Sequence, residues 1–327
     1  MSDLEMMRAM DASGGRGAIE MIRIPKPSAG PGQVRVEVVC SAVEDGEDQV
    51  LRRTWVGMFL HRNVRPLVIG WNVAGVVDAV GAGVEDFSIG DAVWGHLEFD
   101  MFQKQGAFSE FVIMGADAIA KRPEAVTVEL AAALPTVSLT ALQALRDFGR
   151  LQAGGSVLVI GAGGGIGSAS VAIAKRLGAE VVGLCSTKDV DKVAGLGANR
   201  VIDRKKEDFL ASDVQVDVIL DTPSKYSFGQ CRHLLKPGGT YLDLHPWTLA
   251  GGFLQSMLTS KRCRFVMVAP KKADLEQVGG WLIDGMPSPV AVDSRYPVSE
   301  LAAALSRRLE RDRSGQVVVE VAGNWPG

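Results

Sequence analysis

The sequence predicts an α/β protein in two parts, a partly open β-barrel joined to a doubly wound parallel sheet. Two patterns lead there. Short strand candidates separated by glycine turns fill the first third, as in a small barrel. After about Pro123 strands and helices alternate, as in a parallel sheet with helices on its faces. A third observation concerns function: 38 of 327 residues are glycine, above the usual ~7% share. It directs attention to loops where backbone must approach a ligand.

The elements follow in order. Val34–Val39 alternates, is β-branched, and follows the turn Pro31-Gly32. Val73–Val80 is closed by Gly81-Ala82-Gly83, Ala92–Gly95 follows the turn Ile89-Gly90-Asp91, and Phe108–Ile113 continues the strand pattern. The spacing of Ala and Leu then predicts a helix over Val128–Leu145. Strands are expected at Ser156–Ile160, Val181–Cys185, Val201–Ile202, Val216–Leu220, Thr240–Leu244 and Phe265–Val268, a parallel six-stranded sheet. Helices at Ile166–Leu177, near Val190–Leu196 and at Ser227–Leu235 fall between them. A last helix, Ser299–Glu310, and a last strand, Val317–Val321, follow Pro297.

Composition excludes several classes. Hydrophobic residues make up 47% and charged residues 22% of the chain, ordinary values for a globular protein and not for a disordered one. With 35 basic and 38 acidic residues, the net charge is -3. That argues against nucleic acid or an anionic membrane as the main partner. The four cysteines, Cys40, Cys185, Cys231 and Cys263, are widely spaced and form no CxxC, so neither a disulfide scaffold nor a zinc knuckle is expected. Leu151–Ala174 is apolar enough to imitate a membrane span, but the glycines at 161, 163, 164, 165 and 167 divide it into strand, loop and helix. The N-terminal residues lack the basic patch and apolar run of a signal peptide, and a cytoplasmic protein is expected.

The strand-to-helix turn is Gly161-Ala162-Gly163-Gly164-Gly165-Ile166-Gly167. A strict GxGxxG cannot be placed on it; Gly161, Gly164 and Gly167 give GxxGxxG instead. The need is the same: a tight turn, backbone close to a pyrophosphate, and a helix packed near its strand. The N–H groups at the helix start, including those of Gly165 and Ile166, would hold the phosphates. Such a run alone is also a plain glycine-rich connector; the flanking strand, helix and second strand favour a dinucleotide. An NAD site wants Asp or Glu at the end of that second strand. Here Cys185 stands there, followed by Ser186-Thr187-Lys188, with Arg204 after the third strand. These residues suit a 2′-phosphate, so NADPH is expected over NADH; read blandly, the cations are solvated surface charges. Asp221-Thr222-Pro223 caps a further strand at the edge where open α/β sheets bind ligands. A methyltransferase is the competing reading, since Leu234–Gly239 also fits that class, but it too wants an acid where Cys185 stands.

Taken together, Pro31-Gly-Gln-Val-Arg-Val, Gly70-Trp-Asn-Val-Ala-Gly-Val-Val, Gly90-Asp-Ala-Val-Trp-Gly95, Ala131-Ala-Ala-Leu-Pro135, Leu139-Thr-Ala-Leu-Gln-Ala144 and the glycine turn resemble the medium-chain dehydrogenase/reductase superfamily. The nearest branch is the zinc-free quinone oxidoreductases, the zeta-crystallin-like enzymes. The resemblance implies a GroES-like substrate domain, residues 1–123 completed by 295–327, around a Rossmann domain, residues 124–294. It implies that Thr140 lies near the nicotinamide, that Phe265, Val266 and Met267 receive its carboxamide, and that the same strand joins a homodimer. Gln316 stands where a lysine is common beside the cofactor.

Zinc-dependent members carry ligands where this chain has Glu44 and Trp71-Asn72, and the lobe that binds structural zinc is missing. No metal is therefore expected. Without a Lewis acid an isolated carbonyl is poorly polarised. No tyrosine has a lysine four residues on. Hydride addition to a conjugated acceptor suits such a site, because the charge spreads to a remote oxygen that a few donors can stabilise. The expected function is thus NADPH-dependent reduction of a quinone or enone. Alternatives are an enoyl reductase acting on a polyketide or acyl intermediate and, in another class, a cofactor-binding protein with little turnover. Glu44 is a candidate acid/base or a member of a solvated acidic loop, and His245 a candidate polar pocket residue. Trp71, His96 and Trp247 are candidate pocket residues.

Overall fold

The computed structural model describes residues 5–13, 19–44, 64–98, 105–245, 249–310 and 312–326. In chain order the strands of the first part are β1 (Met6–Asp11), β2 (Glu20–Pro25), β3 (Gln33–Ala42), β4 (Asn72–Val80), β5 (Ala92–His96), β6 (Phe111–Gly115) and β7 (Ile119–Lys121). Helices α1 (Val128–Ala133) and α2 (Pro135–Gln143) follow, then β8 (Ser156–Ile160), α3 (Gly165–Arg176), β9 (Glu180–Cys185), α4 (Val190–Gly195) and β10 (Arg200–Asp203). Next come β11 (Val216–Asp221), α5 (Phe228–Cys231), β12 (Leu235–Asp243), α6 (Leu249–Ser256) and β13 (Arg262–Phe265). The chain closes with α7 (Lys272–Ile283), β14 (Val292–Pro297), α8 (Leu301–Arg307) and β15 (Gln316–Glu320).

The chain divides into two units. The first comprises Met1–Thr136, Ala269–Ile283 and Val290–Gly327. Its main sheet has seven strands, in the order β14-β15-β3-β4-β5-β7 with β6 also on β3. The period-two pattern of β3 places Val34, Val36, Val38 and Cys40 inward. The three valines join Val73, Val77, Val93, Phe108 and Val319 in one core.

The second unit comprises Val137–Val268 and Asp284–Pro289. It holds the expected six-stranded sheet, all parallel, in the order β10-β9-β8-β11-β12-β13. All of β8 is buried, which is why SVLVI reads as an unbroken apolar run rather than an alternating one.

Several sequence expectations need correction. The helix over Val128–Leu145 is two helices, because Pro135 has no N–H to donate and instead opens α2 at its first position. A wider π-type turn, Ala144–Phe148, follows α2. The strand expected at Phe265–Val268 lies earlier, at Arg262–Phe265. Its pairing with β12 runs only from Thr240↔Arg262 to Asp243↔Phe265. The arginines at 262 and 264 mask this strand in the sequence, and such charges are usual on a sheet edge. The helix at Ser227–Leu235 shortens to α5 plus a tight turn, Arg232–Leu234. Strands β1, β2, β7 and β14 and helices α6 and α7 were not legible. β1 is rich in methionine, β14 is polar, and both long helices carry glycine pairs that weaken a helical pattern.

The first unit reaches past residue 123 to Thr136 because α1 lies against β3 and β4. It also takes in α7, where Gly279 sits close to Pro123 and Trp94. Among the described residues no helix is long and apolar enough to cross a membrane.

Candidate functional site

In the second unit the strand order reverses between β8 and β11. Ligands of open α/β sheets bind outside the carboxyl ends of the strands at such a point. The glycine turn leaves β8 there, and Thr222 and Pro223 leave β11 beside it. Gly161 has φ +80, and a Cβ on it would lie 2.6 Å from Thr222 Oγ1. A Cβ on Gly167 would lie 2.1 Å from the Gly161 carbonyl oxygen. Close packing of helix on strand therefore demands both glycines. Gly164 caps α3, and the first bond of that helix runs from Ser168 N–H to the Gly164 carbonyl. The N–H groups of Gly165, Ile166 and Gly167 are thus left at the helix start for an anion. These residues fit a dinucleotide diphosphate. Lys192 Nζ donates to the Gly163 carbonyl at 3.1 Å.

At the end of β9, Ser186 Oγ accepts from Arg204 Nη2 at 3.3 Å. Lys188 is exposed on the next turn. One part of the sequence reading is corrected here, since a carboxylate does stand nearby. Asp203 lies level with Cys185 across the β10–β9 pair. The backbone N–H of Lys205 and then the hydroxyl of Thr187 hold its carboxyl below the usual range. Ser186, Thr187, Lys188 and Arg204 are the residues here that could meet a 2′-phosphate. Burial pushes the Cys185 thiol up to about 11 and those of Cys40, Cys231 and Cys263 up to about 12, so none is set up as a thiolate.

The carboxyl ends of β11 and β12 bring Asp221 and Asp243 level. Asp221 is 0% exposed. Its Oδ2 accepts from Tyr226 N–H at 2.8 Å and from Tyr241 Oη at 3.0 Å. Burial raises its pKa. Asp221 thus braces the strand ends from inside, and Thr222 is the residue of that pair lying on the glycine turn. Thr222 Oγ1 donates to the Ile160 carbonyl at 3.0 Å. Ser224, Asp243 and His245 meet at the same edge, a grouping not foreseen from the sequence. Ser224 Oγ donates to Asp243 and lies 2.7 Å from His245 Nδ1. Thr140 is buried on α2. Phe265 ends β13, Val266 is buried and donates its N–H to the Asp243 carbonyl, and Met267 is exposed. Trp247 lies outside the described residues, as do Asp45–Asp48.

The first unit contains a separate buried polar cluster. Glu44 is 6% exposed, so its own carboxylate is not solvated. Its Oε1 accepts from Asn72 Nδ2 at 2.8 Å, and its Oε2 lies 3.8 Å from Arg308 Nη2. Asn72 Oδ1 accepts from both the N–H and the hydroxyl of Thr136, at 2.9 and 2.8 Å. Arg308, just past α8, is the member that sequence reasoning missed. No local pattern distinguishes it from its neighbour Arg307. Trp71 stacks on His96, with ring centroids 6.3 Å apart. His96 also borders a cleft with Glu98, Gln105 and Asp117. Gln316 is buried in β15, and neither end of its amide has a hydrogen-bond partner among the described residues.

Comparison with known proteins places this geometry. Residues 30–124 match the alcohol dehydrogenase GroES-like domain, and residues 196–319 match the zinc-binding dehydrogenase family. A mitochondrial NAD(P)H oxidoreductase of Mus musculus is 31% identical over 284 residues, covering 78% of this chain and 71% of that protein. The chain is a medium-chain dehydrogenase/reductase. It falls in the quinone-oxidoreductase-like branch of that superfamily. The chloroplast envelope quinone oxidoreductase homolog of Arabidopsis thaliana is 28% identical over 324 residues, 94% of this chain and 95% of that protein. The quinone oxidoreductase structure from Coxiella burnetii shares the fold, with a TM-score of 0.82 at 24% identity over 97% of this chain and 100% of that one. The resemblance and the fold read from the sequence both hold for this dehydrogenase/reductase, which is an oxidoreductase of that superfamily.

The zinc in the matched family's description does not fit the residues present. Where ligands would stand, Glu44 is the one anionic group, bonded to a neutral amide and facing a guanidinium. A divalent ion there would displace Asn72 and meet the charge of Arg308. Among the described residues no group of three or more His, Cys, Asp or Glu is placed to hold a metal.

Proposed function

We propose that this dehydrogenase/reductase delivers a hydride from NADPH to a conjugated carbonyl, a quinone or an enone, with no metal ion. The observation that carries the reading is the glycine turn at the reversal of strand order, flanked at the end of β9 by Ser186 and Arg204. The names of the relatives, a quinone oxidoreductase homolog and an NAD(P)H oxidoreductase, support it. When bound, the cofactor supplies the hydride. The protein supplies N–H donors for its diphosphate and cations for its 2′-phosphate. A conjugated acceptor fits a donor set that has no Lewis acid, because its developing charge sits on a remote oxygen. The test is NADPH oxidation against a panel of quinones, enones and enoyl thioesters. Turnover with a quinone or enone is expected. Consumption by enoyl thioesters alone would assign an enoyl reductase, and consumption by none would overturn the reading.

The cofactor preference has its own test. A charged hydrogen bond contributes ~1.5–3 kcal/mol, so Lys188→Ala and Arg204→Ala should each weaken NADPH binding about tenfold to a hundredfold. NADH binding should barely change. Equal weakening of both, measured by fluorescence titration, would refute the phosphate assignment.

The same reading includes a homodimer through β13. That strand is the sheet edge, and Phe253, Leu254, Met257, Leu258 and Met267 are exposed on the elements around it. Sedimentation should give twice the chain mass, and a monomer at micromolar concentration would contradict the assignment.

A further inference from the structure

Ser224 does not belong where it stands on conformational grounds. Its φ is +50, in the left-handed region that disfavours a residue with a Cβ. Such outliers persist when the surroundings hold them, and they gather at functional places. What holds Ser224 is its hydroxyl. Oγ donates to Asp243 Oδ1, and the same Oγ is 2.7 Å from His245 Nδ1. Asp243 Oδ1 also accepts the backbone N–H of His245, at 2.8 Å. Asp243 is 1% exposed, whereas His245 is exposed.

The bonds of this group run in one direction. Asp243 Oδ1 accepts from Ser224 Oγ–H and from the backbone N–H of His245. A serine has a single hydrogen to give, and it points at Asp243. Toward His245 the serine oxygen must therefore accept, and Nδ1 must carry a hydrogen. The order is His245 Nδ1–H to Ser224 Oγ–H to Asp243 Oδ1. With Nδ1 fixed as N–H, proton uptake and release fall to Nε2. A buried carboxylate thus sets the tautomer of an exposed imidazole through a serine. The group stands two residues past Thr222, which rests on Gly161, at the carboxyl edge of the sheet.

We infer that His245 is the proton donor of this enzyme and that Ser224 and Asp243 are positioning residues that hold it in the Nδ1–H tautomer. This rests on the proposed reduction of enones by a dihydronicotinamide. The enone gains the hydride at its β-carbon, taking two electrons from the dihydronicotinamide, which is thereby oxidised. The resulting enolate takes a proton at its α-carbon from Nε2 of the His245 imidazolium, which carries a hydrogen on both ring nitrogens and returns to the neutral Nδ1–H tautomer. The N–H bond breaks as the C–H bond forms, and the imidazole keeps its Nδ1 hydrogen. Nε2 then recovers a proton from solvent.

Two readouts test the inference. In protein labelled with 15N-histidine, the His245 signal, assigned by its loss in His245→Gln, should show the Nδ1–H tautomer. It should move toward the Nε2–H form in Ser224→Gly, a change that also relieves the backbone. An Nε2–H tautomer in the unaltered protein, or no change in Ser224→Gly, would overturn the arrangement. The second readout is reduction in D2O of an enone bearing an α-substituent. The unaltered enzyme should place deuterium on one face of the α-carbon. His245→Gln should lower kcat about 100-fold and deuterate both faces, and Ser224→Gly should lower kcat about tenfold, each with little change in the KM for NADPH. Single-faced deuteration in both variants, or a raised KM for NADPH at unchanged kcat, would overturn the donor role. If neither a quinone nor an enone is reduced, the proposed function falls and the donor role with it; if quinones alone are reduced, only the donor role falls; in both cases the tautomer readout still stands. If enones are reduced but both variants behave like the unaltered enzyme, only the donor role falls.

Discussion

Glu44→Ala is expected to lower the stability of the first unit by about 3 kcal/mol. The substitution takes a carboxylate away from a guanidinium that is itself only 7% exposed. Breaking a buried ion pair from one side typically costs about 3–5 kcal/mol, because the remaining charge stays desolvated. The 3.8 Å separation of Glu44 and Arg308 is long for a pair, which favours the lower figure. Asn72 loses its acceptor in the same step, although its own carbonyl stays anchored to Thr136. Glu44→Gln should cost less, since an amide oxygen still accepts from Asn72 Nδ2. The double variant Glu44→Leu with Arg308→Met should recover most of the loss, because replacing both ions with apolar groups of similar volume is often neutral. Thermal unfolding checks this, with a midpoint about 6–12 °C lower for Glu44→Ala if each kcal/mol shifts a domain of this size by about 2–4 °C. A midpoint unchanged within error would show that the cluster contributes nothing to the fold.

Gly167→Ala is expected to abolish cofactor binding and to destabilise the second unit together. Its Cβ would stand 2.1 Å from the Gly161 carbonyl oxygen and 2.7 Å from the carbonyl carbon. These are backbone atoms, so relief requires α3 to move away from β8. Overpacking of this kind costs about 1–3 kcal/mol, and the displaced helix start no longer presents its N–H groups in the same place. Gly164→Ala separates the two effects. Its Cβ would meet only the Gly161 carbonyl oxygen, at an ordinary 3.4 Å, and its φ of -76 suits alanine. The fold should therefore keep its melting temperature. A methyl group at the helix start should still weaken NADPH about tenfold or more, a difference of about 1.4 kcal/mol, by blocking the approach of a diphosphate. Fluorescence titration alongside thermal melts reads both quantities. Undiminished cofactor binding by Gly164→Ala would place the diphosphate elsewhere.

Much of the framework was legible because it is local. The alternation of β3, the unbroken apolar run of β8 and the glycine turn each follow from residues adjacent in the chain. So does the cap that Gly164 forms on α3. Even the break at Pro135 follows from a missing N–H, although the Ala and Leu spacing around it hid the consequence. The edge strand β13 was placed three residues late because its arginines weaken the apolar signal, while Val266, Met267 and Val268 imitate it.

The candidate site was legible only where a single segment makes it. Gly161–Gly167 and Ser186-Thr187-Lys188 could be named because a turn and its candidate phosphate contacts lie in one stretch. Asp203 could not be placed, because it reaches the end of β9 only through the register that sets it beside Cys185. The same holds for Ser224, Asp243 and His245. Parallel pairing levels Asp221 with Asp243, and a serine past one strand then meets a histidine past the next. Arg308 is the extreme case, one arginine among several near the C-terminus until folding lays it against Glu44. The sequence by itself determined the two-part α/β architecture and the nucleotide turn, because backbone sterics and hydrophobic periodicity act between near neighbours. The tertiary structure decided which charges are buried, which carboxylates are hydrogen-bonded and which serine meets a histidine. Burial and pairing are set by strand register and packing between residues distant in the chain, and no local pattern encodes those distances.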